Sequence, residues 1–185
     1  SPGSTFDLLA GRLDGVVWRV TVDARGDPLV YDSIHACGCY QLFFPTEKVV
    51  ARELPVTLDE SLFVPQSVPA ARSGERVVLR VESGTHYLQR VLVTSEAQSA
   101  AAVVYRLEDE RTLTTLARRG GGTRSAYGQD GFIAGSERAE RWFYWPMGIE
   151  SAGQMRQWGH HATAFVGRRH FDDPQLFDAY FEVRR

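Results

Sequence analysis

Apolar and polar positions alternate along much of the chain. Val16, Trp18, Val20 and Val22 interleave with Val17, Arg19, Thr21 and Asp23, the period-two pattern of a strand with two unlike faces. Asp23-Ala24-Arg25-Gly26-Asp27 has turn chemistry, with Gly26 free to take positive φ. The chain resumes at Pro28-Leu29-Val30-Tyr31, so residues 16–35 predict a β-hairpin. Val77, Leu79 and Val81 alternate with Arg80 and Glu82, and Ser83-Gly84 predicts a tight turn into a strand over 85–94. A third strand is expected over 102–107, completing an antiparallel meander.

Between these segments the signals are weaker. Prolines at 45, 55, 65 and 69 restrict Val49-Val50 and Leu62-Phe63-Val64 to brief edge strands. Residues 109–119 fit either a short helix, with Leu113, Leu116 and Ala117 on one face, or a threonine-rich strand. Residues 120–135 are glycine-rich and polar and read as a long loop. The aromatic run Trp142-Phe143-Tyr144-Trp145 reads as extended. His160 to Val166, bracketed by glycines, reads as a buried strand, and Asp173-Pro174 as the cap and first residue of a short helix ending near Tyr180.

Together these elements predict a mainly β protein: one antiparallel sandwich or barrel with one or two short helices. Residues 1–12 lack a period and read as an N-terminal arm, which leaves 13–185 as a single β-rich domain. Neither an internal repeat nor a linker interrupts it.

Composition narrows the function classes. With 185 residues and 43% hydrophobic content the chain can bury a sizeable core. A formal net charge of -2 provides no global field for nucleic acid or anionic membrane, and no apolar run approaches the roughly 18 residues of a membrane span. Lys48 is the one lysine among 21 basic residues, a bias that reads as a property of the source genome. The start Ser1-Pro2-Gly3-Ser4 lacks methionine and reads as trimmed. With the β-rich build it tilts the expectation towards an extracytoplasmic domain of bacterial type.

Candidate chemistry concentrates in Tyr31 to Tyr40, which holds both cysteines and one of the five histidines. If the strand continues to residue 39, His35, Cys37 and Cys39 fall on one face with Tyr31 and Ser33. One imidazole and two thiols are the donor set that zinc or copper takes. A fourth ligand would come from His160, His161 or His170, with His86 a further candidate. His160 and His161 are adjacent, so on a strand only one of them faces a given site.

The plainer alternative is a structural turn or a local disulfide. An extended Cys-X-Cys separates its Cα atoms by about 6.5–7 Å, at the limit of disulfide geometry, but Gly38 can fold the backbone between them. A third possibility is a cysteine-dependent redox enzyme or hydrolase. It needs a base and an orienting group, and Asp32 points away from His35 on a strand.

Three further segments carry weaker signals. Arg168 to Asp173 pairs His170 with Asp172 as donors, or simply forms a polar turn. The arginines between 111 and 141 sit on a glycine-rich backbone that can form an anion nest, although no phosphate-loop Gly-Lys-Ser/Thr occurs. The aromatic segment 142–145 is the candidate surface for a small ligand or a protein partner. The sequence therefore supports a soft-metal-binding β domain, with a non-enzymatic binding module as the alternative.

Overall fold

A computed structural model of the chain describes residues 7–38, 40–52, 63–95, 103–157 and 176–184. In chain order its strands and helices are β1 (Val16–Val22), β2 (Pro28–His35), β3 (Leu42–Pro45), β4 (Val49–Ala51), β5 (Glu75–Val81), β6 (Leu88–Ser95), β7 (Leu116–Ala117), β8 (Thr123–Arg124), α1 (Arg141–Tyr144), α2 (Leu176–Tyr180) and β9 (Phe181–Val183). The described fold is thus mainly strand, in antiparallel sheets, with two short helices. No helix among the described residues is long and apolar enough to cross a membrane.

The chain forms two compact units. One comprises Ser1–Leu13 and Ala102–Ala162, the other Asp14–Ala101 and Thr163–Arg185. The second and larger unit holds β1 to β6, α2 and β9.

Its centre is the sheet β1-β2-β3. The predicted hairpin is present, with Val16 opposite His35 and Val20 opposite Tyr31. Asp23 closes its turn by accepting from the N–H groups of Arg25 and Asp27, while Gly26 takes φ +85°. Val30 to Ile34 are all buried, so β2 shows none of the one-sided alternation of a solvated strand. The reason is that both faces are covered. On one face Tyr31 and Phe44 pack with Val68 and Val91, against Trp18 and the inward residues Val77, Leu79 and Val93 of the β5–β6 hairpin. Trp18 stacks on Tyr31 at 5.5 Å between ring centroids. On the other face Leu29, Val30 and Phe43 pack with Val49, Tyr180 and Phe181. Strands β4 and β9 pair alongside, Val49 opposite Val183.

Several predicted elements differ in the structure. β6 begins at Leu88 because the turn after β5 is wide, with Glu82 N–H donating to Tyr87 O and His86 at φ +59°. Residues 103–107 form no strand and are largely exposed, which leaves the meander with two strands. Val49-Val50 does form an edge strand. Phe63 and Val64 do not, although Phe43 N–H donates to Phe63 O at 2.8 Å. Leu62, the segment 160–166 and the Asp173-Pro174 cap lie outside the described residues, whereas the helix ending at Tyr180 is present as α2.

In the smaller unit, residues 109–119 use both predicted options in turn. A 3-10 helix, Glu110–Thr114, is capped by Asp109 and followed by β7, which pairs with β8. The aromatic run is not extended. Arg141 to Tyr144 form a helical turn that continues as a 3-10 turn, Trp145–Met147, where Pro146 sits at a position that loses no helical hydrogen bond. Local i→i+3 bonds, Trp142 N–H to Ala139 O and Phe143 N–H to Glu140 O, override the strand preference of the aromatics.

Candidate functional site

The turn after β2 decides how the cysteine segment is built. Gly38 N–H donates to His35 O at 2.7 Å, and Gly38 takes φ +79°. The strand therefore ends at His35, and Cys37 leaves the face that Tyr31, Ser33 and His35 share. This corrects the extended reading through residue 39, because a glycine that readily adopts the left-handed region closes the turn there.

Inside the turn the Cys37 sulfur folds back to 3.0 Å from His35 Nδ1, and the residue is 2% exposed. His35 Nε2 lies 2.8 Å from the Thr85 carbonyl oxygen. A carbonyl only accepts, so Nε2 carries the proton and Nδ1 of the neutral ring presents its lone pair to Cys37. The Cys37 backbone N–H also points at Nδ1, at 3.4 Å. Asp32 does not orient this ring. It faces Arg19 across the hairpin, with Arg19 Nε donating to Oδ1 at 2.7 Å. Burial raises the Asp32 pKa above the usual carboxylate range even though Arg19 opposes it.

Of the six residues predicted as metal ligands, His35 and Cys37 are brought together. Cys39, His160, His161 and His170 lie outside the described residues. Among the described residues no three His, Cys, Asp or Glu side chains gather as a group able to hold a metal ion. Ordinary zinc–sulfur and zinc–nitrogen bonds at a tetrahedral angle place the donors roughly 3.6 Å apart. The pair would open by about half an ångström to share an ion.

Around His35 lies a pocket of about 270 Å³. Tyr87 stands 4.7 Å from the imidazole, and Tyr40 packs edge-on against Tyr87 at 5.0 Å. His86 also lines it, with Nδ1 3.5 Å from Asp14 Oδ1. Tyr40 and His86 both sit in the left-handed region, at φ +56° and +59°. Such backbone costs of order 1–3 kcal/mol for a non-glycine residue, so the rim of this pocket is a strained part of the fold.

A second concavity, of about 310 Å³, lies wholly within the smaller unit. Trp142 and Trp145 line it from the helical turn and are 65% and 71% exposed. The turn starts from a buried ion pair, Arg138 with Glu140. The floor is held by Gln154, which is buried, donates to Ile133 O at 3.1 Å and accepts from the Ser151 hydroxyl. Asp130, Glu137 and Glu150 bring three carboxylates to the lining. Asp130 accepts from the Phe132 N–H. Backbone N–H groups, its own and that of Gly135, hold Glu137 below the ordinary carboxylate range. Arg141 is the one guanidinium among the lining residues, 4.7 Å over the Trp142 ring. Just behind, burial brings the Arg156 pKa down to about 10 against the pull of Glu150.

Compared with protein-family models, curated proteins and solved structures, the chain matches none.

Of the aromatic segment 142–145, Trp142 and Trp145 line this cleft, and they do so from a helical turn and not from the expected strand. The carboxylates at 130, 137 and 150 carry no sequence signal. They come from separate turns, and the bridge between Phe132 and Arg156, with the hydrogen bonds of Ile133 N–H to Met155 O and Gln157 N–H to Gly131 O, draws their segments together. Thr85 is equally silent in sequence, since its backbone oxygen does the work at His35. The arginine-rich stretch does not gather as an anion nest at this cleft: Arg138 is buried against Glu140, and Arg141 lies on an indole among carboxylates.

Proposed function

We propose that this protein is a non-enzymatic binding module whose ligand seats on the exposed indoles of Trp142 and Trp145. The observation that carries the reading is the exposure of two tryptophans on the wall of a cleft with a fixed polar floor. Tryptophan otherwise buries most of its surface, and aromatic walls with a few placed polar groups are the usual make-up of a small-molecule site. In this reading the Cys37-Gly38 turn is structural, and its sulfur packs against His35.

Ligand-observed NMR on the intact protein, using a panel of sugars, organic cations and small aromatic compounds, tests it. At least one compound class is expected to show saturable binding that W142A and W145A both weaken tenfold or more. Binding unchanged in both variants, or no binding by any class, overturns the reading.

One observation favours a second reading, a soft-metal site on His35 and Cys37. The Nε2–H contact to Thr85 O is the outer-shell bond that commonly orients a metal-ligating histidine, and it aims Nδ1 at the Cys37 sulfur. Zinc or copper would then draw its remaining ligands from Cys39 and from His160, His161 or His170. Elemental analysis of protein purified without added metal tests this: about one equivalent is expected, lost on C37S or H35A. No metal, with both thiols freely titratable, sinks it.

A further inference from the structure

We infer that the ligand of the Trp142–Trp145 cleft is a small organic cation of the quaternary ammonium class. The inference rests on the binding-module reading and adds the class of compound bound. The grounds are charge and surface type. The cleft lining carries the carboxylates of Asp130, Glu137 and Glu150 against the guanidinium of Arg141, and with Arg156 beside Glu150 just behind the wall the site keeps an excess of one negative charge. A neutral polyol does not require that excess, and an anion would be repelled by it.

The indole faces supply the second half of the recognition. Cations are drawn to the negative face of an aromatic ring, most strongly to tryptophan. The cleft already contains one example, since Arg141 stands 4.7 Å over Trp142. Trp145, at 71% exposure, offers further indole surface beside the carboxylates. A quaternary ammonium is weakly hydrated and has no N–H to satisfy, so ring faces and diffuse negative charge suit it better than they suit a primary amine. A volume of about 310 Å³ accommodates a head group of this kind with a short chain.

The test compares three probes on the full chain by calorimetry and ligand-observed NMR: choline, its uncharged tert-butyl isostere 3,3-dimethylbutan-1-ol, and glucose. Choline is expected to bind saturably, at least tenfold tighter than the isostere, and to weaken with rising ionic strength. W145A should weaken choline tenfold or more and W145F only a few-fold. The double variant E137Q/E150Q should weaken choline about three- to tenfold while leaving the isostere unchanged. All substituted side chains lie on the cleft surface, and circular dichroism checks that each variant folds. Equal binding of choline and the isostere, or binding of glucose without choline, overturns the cation class and leaves the binding module standing. Absence of binding by all three overturns the cation class, and the wider NMR panel then decides the module separately.

Discussion

Arg138 and Glu140 form an ion pair inside the smaller unit, Nε to Oε1 at 3.2 Å, with side chains only 7% and 5% exposed. The atoms are close but off the line of a hydrogen bond, so charge attraction holds them more than alignment does. Two glycines make room. A Cβ on Gly153 would lie 2.1 Å from Glu140 Oε1, and one on Gly11 would lie 2.8 Å from Arg138 Cγ.

Gly153→Ala should therefore be severe. The new methyl would force the buried ends of Glu140 and Arg138 out of their paired positions, and Gly153 already has φ +74°. Disrupting a buried ion pair costs about 3–5 kcal/mol. Gly120→Ala is the control, since its Cβ would meet nothing within 4 Å, and should stay within about 0.5 kcal/mol. Urea unfolding of the two variants, followed by circular dichroism, makes the comparison.

Asp32 imposes a pH dependence on the larger unit. Burial raises its folded-state pKa above the unfolded value, so the group stabilises the fold below the unfolded pKa. That contribution is lost as pH rises through the carboxylate range. D32N has no such titration. Wild-type stability minus D32N stability should thus be greatest in acid and fall towards neutral pH, as read by thermal unfolding at a series of pH values. A difference that rises with pH would contradict the assignment.

Phe44 anchors the face of β3 that Trp18 and Tyr31 cover, and is almost fully buried. Phe44→Ala should cost about 3–5 kcal/mol through lost burial and the cavity left behind. Val183→Ala, on an exposed position of β9, should cost far less. Chemical denaturation of both variants gives the ratio.

His35 ties the end of β2 to the turn after β5 through Thr85 O. His35→Phe keeps the ring contact with Tyr87 and removes the hydrogen bond, at a cost of about 0.5–1.5 kcal/mol. The amide protons of residues 84–88 should then exchange faster than those of β1. Equal protection in wild type and variant would show that the bond holds nothing in place.

Both hairpins are legible in the sequence because their alternation is local and their turns carry glycine at the position that needs it. The double burial of β2 is not legible. Its second cover comes from Tyr180 and Phe181, and nothing near residue 30 announces them. Aromatic density over 142–145 suggests the wrong backbone, since strand preference yields to local hydrogen bonds around a buried ion pair. At the cysteine segment, Gly38 signals the turn and His35 the neighbouring donor. The partner that fixes the imidazole is a backbone oxygen fifty residues away, which no side-chain pattern encodes.

The covering of β2 by α2 and β9 also bears on synthesis. Val30 and Phe43 wait for Tyr180 and Phe181, about 150 positions later, and the segment 102–162 of the other unit is made in between. On the ribosome, Val30 and Phe43 lack these two partners while residues 102–162 are translated. Apolar surface left uncovered during that interval is the kind that makes a partly made chain prone to aggregate.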